Sequence, residues 1–216
     1  MSGRRPGSGR ALLAASLVIA LVGCSRDRNT GEAGVSGSAV VDREAPGTDG
    51  SPGDSLGSLF DLPFALTDQD GRARHLSDLR GRPFVASMIY RRCTSVCPRI
   101  TEDLRNLERA LPSRDRARVR FVLFSLDPEH DTPEALRAFA AEHSLDPGRW
   151  TLLATHADDL RTLAAVLGVR YRPDEGGQIA HSALIAVVDG EGVIRHRQLG
   201  AGNDPGPLRS AVHAVR

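Results

Sequence analysis

Two cysteines four positions apart, Cys93 and Cys97, followed at once by Pro98, are the residues best equipped for chemistry in this chain of 216 residues. Across the start of a helix, positions i and i+4 share one face with β-carbons about 5–6 Å apart. That is near enough to share one soft metal ion or to approach disulfide geometry. The positive end of the helix, with Arg91, Arg92 and Arg99 close in sequence, favours the thiolate that both chemistries need. A stabilising disulfide or two buried inert thiols are the plainer alternatives, although a staple more often closes a longer loop. His181 stands at the mouth of an apolar run. Alone it reads as a hydrogen-bonded edge residue. Beside two thiolates it completes a Cys₂His set that suits Cu(I), tolerates Cu(II) and could also hold zinc.

Only folding can bring His181 to the cysteines, so the elements between them decide the matter. Leu62 to Thr67, a turn at Asp68–Gly71 and Arg72 to Leu76 predict a hairpin. Pro83 to Tyr90 and Arg118 to Leu126 are apolar runs of strand length, which points to burial on both faces. Between them Pro98 suits a first helical position, and Ile100, Leu104, Leu107 and Leu111 recur at helical spacing. Thr132-Pro133-Glu134 opens a second helix; Trp150 to Ala154 is a strand; Leu160, Leu163, Ala164 and Leu167 form a third helix stopped by Gly168. Ile179 to Val188 and Val193 to Leu199 pair around a turn, and Pro207 to Val215 closes the chain as a helix. The fold class is α/β: a central mixed sheet flanked by helices, with an N-terminal β-hairpin. In that arrangement the loops 91–98, 127–133 and 177–182 emerge at one edge.

The first 24 residues read as an address. Arg4, Arg5 and Arg10 precede the apolar run Ala11 to Gly23, which is shorter than the roughly 20 residues of a spanning helix. Its end, Leu21-Val22-Gly23-Cys24, resembles a bacterial lipoprotein signal in which Cys24 carries the lipid. Residues 25–56 are rich in Gly, Ser, Asp, Thr and Pro with no aromatic residue until Phe60, and are expected to form a flexible tether with a reach of ~30 Å. Residues 57–216 then form the folded domain, facing the periplasm or cell exterior where thiols tend to oxidise. All 28 basic residues are arginine and the net charge is +1. Lysine Schiff-base or P-loop chemistry is thereby excluded, and without a basic run nucleic acid is not the expected partner.

Three motifs in order carry a family resemblance. A strand leads into Cys93-Thr-Ser-Val-Cys97-Pro98, a second ends at Asp127-Pro128-Glu-His-Asp131-Thr132-Pro133, and His181-Ser182 opens a run ending at Asp189-Gly190. Together, over about Leu62 to Val215, they resemble the Sco/SenC family of copper-binding, thioredoxin-like proteins. The resemblance implies that Cys93, Cys97 and His181 bind copper, as Cu(I) or Cu(II), and that Cys93 and Cys97 also form a redox-active pair. It makes Asp127 a carboxylate that either supports the ligands or touches a partner. It further implies a role in maturing the copper centre of cytochrome c oxidase, as metallochaperone, thiol reductant or both. The partners would be the copper-accepting oxidase subunit, a periplasmic thiol reductant or copper donor, and the membrane through the lipid anchor. The family commonly has Thr two positions before the first Cys and Pro directly after it, where this chain has Arg91 and Thr94.

The alternative function is an extracytoplasmic thiol-disulfide oxidoreductase using Cys93 and Cys97 without metal. Against it, C-x-x-x-C replaces the usual C-x-x-C, and Ala180-His181-Ser182 stands where such enzymes place a cis-proline. A peroxidase with one low-pKa Cys and a resolving thiol ranks third. Of the other histidines, His130 sits in the acidic loop and is the one expected near the site; Met88, inside a buried strand, reads as core packing.

Overall fold

The computed structural model describes residues 57–215, so the expected lipidation site Cys24 and the tether at 25–56 lie outside the described residues. Along the chain run β1 (Ala65–Asp68), β2 (Ala73–His75), β3 (Phe84–Ile89), α1 (Val96–Ala110), α2 (Ser113–Arg118), β4 (Arg120–Ser125), α3 (Pro133–Glu142), β5 (Trp150–Thr155), α4 (Ala157–Leu167), β6 (Tyr171–Pro173), β7 (Ile179–His181), β8 (Leu184–Val188), β9 (Ile194–Leu199) and α5 (Gly206–Ala214). Seven strands form one mixed sheet in the order β2-β1-β5-β4-β3-β8-β9, and β6 and β7 form a separate two-stranded ribbon. This is a thioredoxin-like α/β fold.

The central strands are those whose residues are apolar on both faces. Every residue of β3 and β8 is buried, as are all but the first of β4, so helices cover both sides. Strand β3 pairs in parallel with β4, ending at Ile89 opposite Ser125. It pairs antiparallel with β8, where Ser87 faces Ile185. The exits of β3 and β4 and the entrance of β8 therefore share one edge of the sheet, as the sequence implied. Met88 is 1% exposed and belongs to the core.

The hairpin β1–β2 exists, but β1 starts at Ala65 because Leu59–Asp61 forms a short 3-10 turn ahead of it. It also pairs antiparallel with β5, which makes the hairpin the edge of the main sheet. Helix α2 was not legible: its six residues, SRDRAR, carry no apolar period. What holds it is polar. The buried Asp115 carboxylate accepts from Arg118 Nε at 3.1 Å and pairs with His213 Nδ1 at 2.9 Å, while Arg118 also donates to backbone carbonyls at the end of α5. Helix α4 stops at Gly168 with φ +91°, where a Cβ would lie 3.3 Å from Leu184 Cδ1.

The largest departure concerns the run expected as one strand from Ile179 to Val188. It breaks at Ser182–Ala183: β7 pairs with β6, with His181 opposite Tyr171, and only β8 joins the main sheet. The polar pair His181-Ser182 interrupts the apolar run, and Ser182 closes the ribbon. Its amide donates to the Arg170 carbonyl at 2.8 Å and its hydroxyl accepts from the Arg170 amide at 3.0 Å.

Candidate metal centre

Three loops meet at the edge where β3 and β4 end. The first, after β3, carries Cys93 and enters α1, whose helical residues begin at Val96 rather than Pro98. Pro98 thus occupies the third helical position, still within the first turn where no amide partner is lost. Cys93 precedes the helix and Cys97 lies in its first turn. The Cys97 amide, one of the orphan donors of the helix start, donates to Cys93 Sγ at 3.3 Å.

Both cysteines are free and buried. Their ligand atoms and one ring nitrogen of His181 lie within 4.8 Å of one another, and Cys97 Sγ is 3.2 Å from His181 Nε2. A point at the centre of such a triangle is at most about 2.8 Å from each corner. Closure of at most about 0.5–0.8 Å therefore brings all three to the roughly 2.0–2.3 Å typical of imidazole and thiolate ligation. The donors are soft or borderline and converge on the space of a single ion.

The electrostatics divide the two thiols. Burial pushes Cys93 up, yet hydrogen bonds from the Cys97 side chain and amide and from Ser95 outweigh it and hold this thiol below its ordinary value. Burial pushes Cys97 well above the thiol range, and its bond with Cys93 adds to the shift. Two of the three arginines expected to favour the thiolates, Arg91 and Arg92, are occupied elsewhere. Arg91 forms a two-point pair with Glu142 at 2.6 and 2.8 Å, and Arg92 pairs with Asp127 at 2.8 Å. The Cys97 thiol first, and then the Cys97 and Ser95 amides, hold the Cys93 sulfur low.

Burial also lowers the His181 pKa, partly offset by the Ser182 backbone, which favours the neutral ring. The Ser182 carbonyl lies 3.2 Å from Nδ1. A carbonyl only accepts, so the proton sits on Nδ1 and the bare Nε2 lone pair faces Cys97, the form a metal ligand needs. Tyr90 stands behind the ring, edge to face at a centroid distance of 5.9 Å. Its hydroxyl accepts from the Ile179 amide at 3.1 Å and contacts Gln178 Oε1 at 3.2 Å.

Two carboxylates from the loop after β4 complete the setting. Asp131, 1% exposed, accepts from the Ser125 hydroxyl at 2.6 Å and the Arg91 amide at 3.1 Å. Burial raises its pKa against those bonds. Asp127 holds Arg92 on one oxygen and His130 Nδ1 on the other, at 2.7 Å. His130 thus serves the acidic loop and is not in the Cys93, Cys97 and His181 group. Thr132 accepts from the Ala135 amide as the cap of α3, in keeping with Thr132-Pro133-Glu134 opening a helix. Tyr90 and Ser125 escaped sequence reasoning as site residues, whereas Asp131 stood in the acidic-loop motif without an assigned role. A tyrosine and a serine ending adjacent buried strands at the functional edge were the available signal.

A family profile described as SCO1/SenC matches residues 53–214. A SCO1 protein homolog of Bacillus subtilis is 28% identical over 149 residues, covering 66% of this chain and 75% of the relative. Among solved structures, a SCO1/SenC family lipoprotein from Bacillus anthracis is similar with a TM-score of 0.63 and 26% identity, over 73% of this chain and 95% of that one. The copper-bound ScoI of Bradyrhizobium japonicum is similar with a TM-score of 0.57 and 25% identity, over 74% of this chain and all of that one, 100%.

Proposed function

The chain belongs to the SCO1/SenC family, and from that premise we propose that it is a tethered copper chaperone whose ligands are the Cys93 and Cys97 thiolates and the His181 imidazole. The observation that carries this reading is the convergence of two free sulfurs and a ring nitrogen of His181 within 4.8 Å of one another. The copper-bound ScoI neighbour supports the choice of metal.

In this reading the chain's own groups do the following. Cys93 presents sulfur already biased toward thiolate. Cys97 gives up its proton as copper arrives, so capture releases protons and tightens as pH rises. His181 closes the third side through Nε2. Delivery proceeds by thiolate exchange with an acceptor, the copper-receiving subunit of cytochrome c oxidase, so that the ion is never free. Cys24 is the lipid attachment and residues 25–56 the tether, a placement that the lipoprotein neighbour supports. Titration of the reduced protein with Cu(I) and Cu(II) tests the reading; one equivalent is expected, and no binding in either state overturns it.

The unequal thiols favour one second reading. Cys93 thiolate attacks a client disulfide and forms a mixed disulfide; Cys97, once deprotonated, displaces the client sulfur. The client gains two electrons as thiols and the chain is left with a Cys93–Cys97 disulfide. Metal-free reduction of an oxidised client, indifferent to His181→Ala, would select this activity.

A further inference from the structure

Arg92 stands immediately before the first thiol, at the junction of all three loops. Its Nε and Nη2 donate to Asp127 Oδ2 at 3.1 and 2.8 Å. The same Nη2 donates to the Gly177 carbonyl at 3.2 Å and lies 3.2 Å from His130 Nδ1. Asp127 is a firm anchor, since it is 6% exposed and its amide donates to Ser125 Oγ, which in turn donates to Asp131. The guanidinium therefore spans from a loop fixed to the sheet to the backbone that leads, four residues later, into His181. Gly177 has φ +72° and a Cβ there would lie 3.7 Å from Arg92 Nη1, so the backbone passes in van der Waals contact with the guanidinium.

This bridge matters because β6 and β7 pair with each other and not with the main sheet. The ribbon's place over the sulfurs rests on local ties. From the cysteine loop these include the Tyr90 hydroxyl at Ile179 and Gln178 and the Arg92 guanidinium at Gly177. Arg92 does not act through its charge on sulfur. That charge is paired with Asp127 at 2.8 Å, and the bonds that hold Cys93 low come from Cys97 and Ser95.

We propose that Arg92 is a positioning residue: by bridging Asp127 and the Gly177 carbonyl it holds the β6–β7 ribbon where His181 meets the two thiolates, and so sets how well the site retains Cu(II) relative to Cu(I). The inference rests on the copper reading above. Two thiolates alone suit Cu(I), whereas Cu(II) depends on the imidazole as well. A loosened ribbon therefore penalises Cu(II) selectively. An arginine fork can address two acceptors at once; a lysine, with a single ammonium, keeps the charge but not the bridge.

The test uses the reduced full chain with Arg92→Ala and Arg92→Lys. Cu(II) and Cu(I) affinities are read by chelator competition, the Cu(II) site by its sulfur-to-copper absorption, and the ribbon by amide exchange of residues 177–181 without metal. For Arg92→Ala, Cu(II) binding falls about tenfold, the scale of one charge-assisted hydrogen bond. The absorption shifts, Cu(I) affinity stays within about threefold, and exchange of 177–181 accelerates. Arg92→Lys falls between and also serves if the alanine variant is unfolded by circular dichroism. Unchanged Cu(II) affinity and absorption overturn the proposal, as does an equal loss for both copper states. Full restoration by lysine would show that charge, not bridging, is at work. If the unsubstituted chain binds neither copper state, the copper reading fails on its own. Amide exchange at 177–181 then still decides whether Arg92 holds the ribbon.

Discussion

Replacing His181 by alanine removes one of three converging donors while leaving the backbone register of β7 intact, since His181 pairs with Tyr171 through main-chain atoms. The fold loses the edge-to-face contact with Tyr90 at 5.9 Å, worth about 0.5–1.5 kcal/mol, the Nδ1 bond to the Ser182 carbonyl and the 3.2 Å contact of Nε2 with Cys97 Sγ. Unfolding in urea should therefore shift by about 1.5–4 kcal/mol. Loss of a group that merely orients a ligand costs about 10–100-fold in metal affinity, so loss of the ligand itself should weaken Cu(II) by more than about 100-fold. Cu(I), still held by two sulfurs, should lose roughly tenfold or less. Chelator competition on the reduced protein reads both affinities, and absorption near the sulfur-to-copper band reports the site directly. Cu(II) binding within threefold of the unsubstituted chain, with an unaltered spectrum, would show that the ring near Cys97 is a bystander and refute the three-donor site.

Other outcomes follow from the same geometry. A thiol-specific alkylating agent at pH 7 should modify Cys93 before Cys97, because one sulfur is biased to thiolate and the other held as thiol by burial; mass spectrometry of partly labelled protein reads the order, and the reverse order would contradict the electrostatic assignment. Asp115→Asn should cost about 1–3 kcal/mol in urea unfolding, since the carboxylate ties α2 to Arg118 and His213; an unchanged midpoint would remove its structural role. The Asp115 pKa is lowered by His213 first and then, against burial, by Arg118. Its contribution is therefore present above the unfolded carboxylate value and is lost as pH falls through the lower folded value. Gly168→Ala should cost about 1–2 kcal/mol because a left-handed backbone must accept a Cβ facing Leu184; thermal melts check it, and a neutral result would mean the α4 terminus rearranges freely.

Much of the fold could be read from periodicity because its central strands are apolar on both faces and its long helices carry clean apolar stripes. The shared edge followed from strand direction alone: parallel β3 and β4, antiparallel β8. The α2 helix escaped because its stabilisation is a buried carboxylate contacting a residue near the C-terminus, His213, which no local window contains. The split at Ser182 escaped because eight of the ten residues of 179–188 are Ile, Leu, Val or Ala, and its cause is reciprocal bonding to Arg170. Within the site, ligand types were legible from chemistry. The partners of Arg91 and Arg92 were not, and they reverse the expected source of thiolate stabilisation. Sequence proximity suggested positive charge beside sulfur; the side chains turn instead to Glu142 and Asp127.

The ribbon formed by β6 and β7 separates two tasks that a single continuous strand would have merged. Had His181 been a rung of the seven-stranded ladder, any change in its reach would have required a slipped register and an inverted interior face. Seated on an appendage with its own Asp174–Gly177 turn, the imidazole can be advanced or withdrawn by editing a few exterior residues. Turn length at 174–178 is thus a natural dial for anyone seeking to retune this protein's grip while leaving its thermal endurance alone.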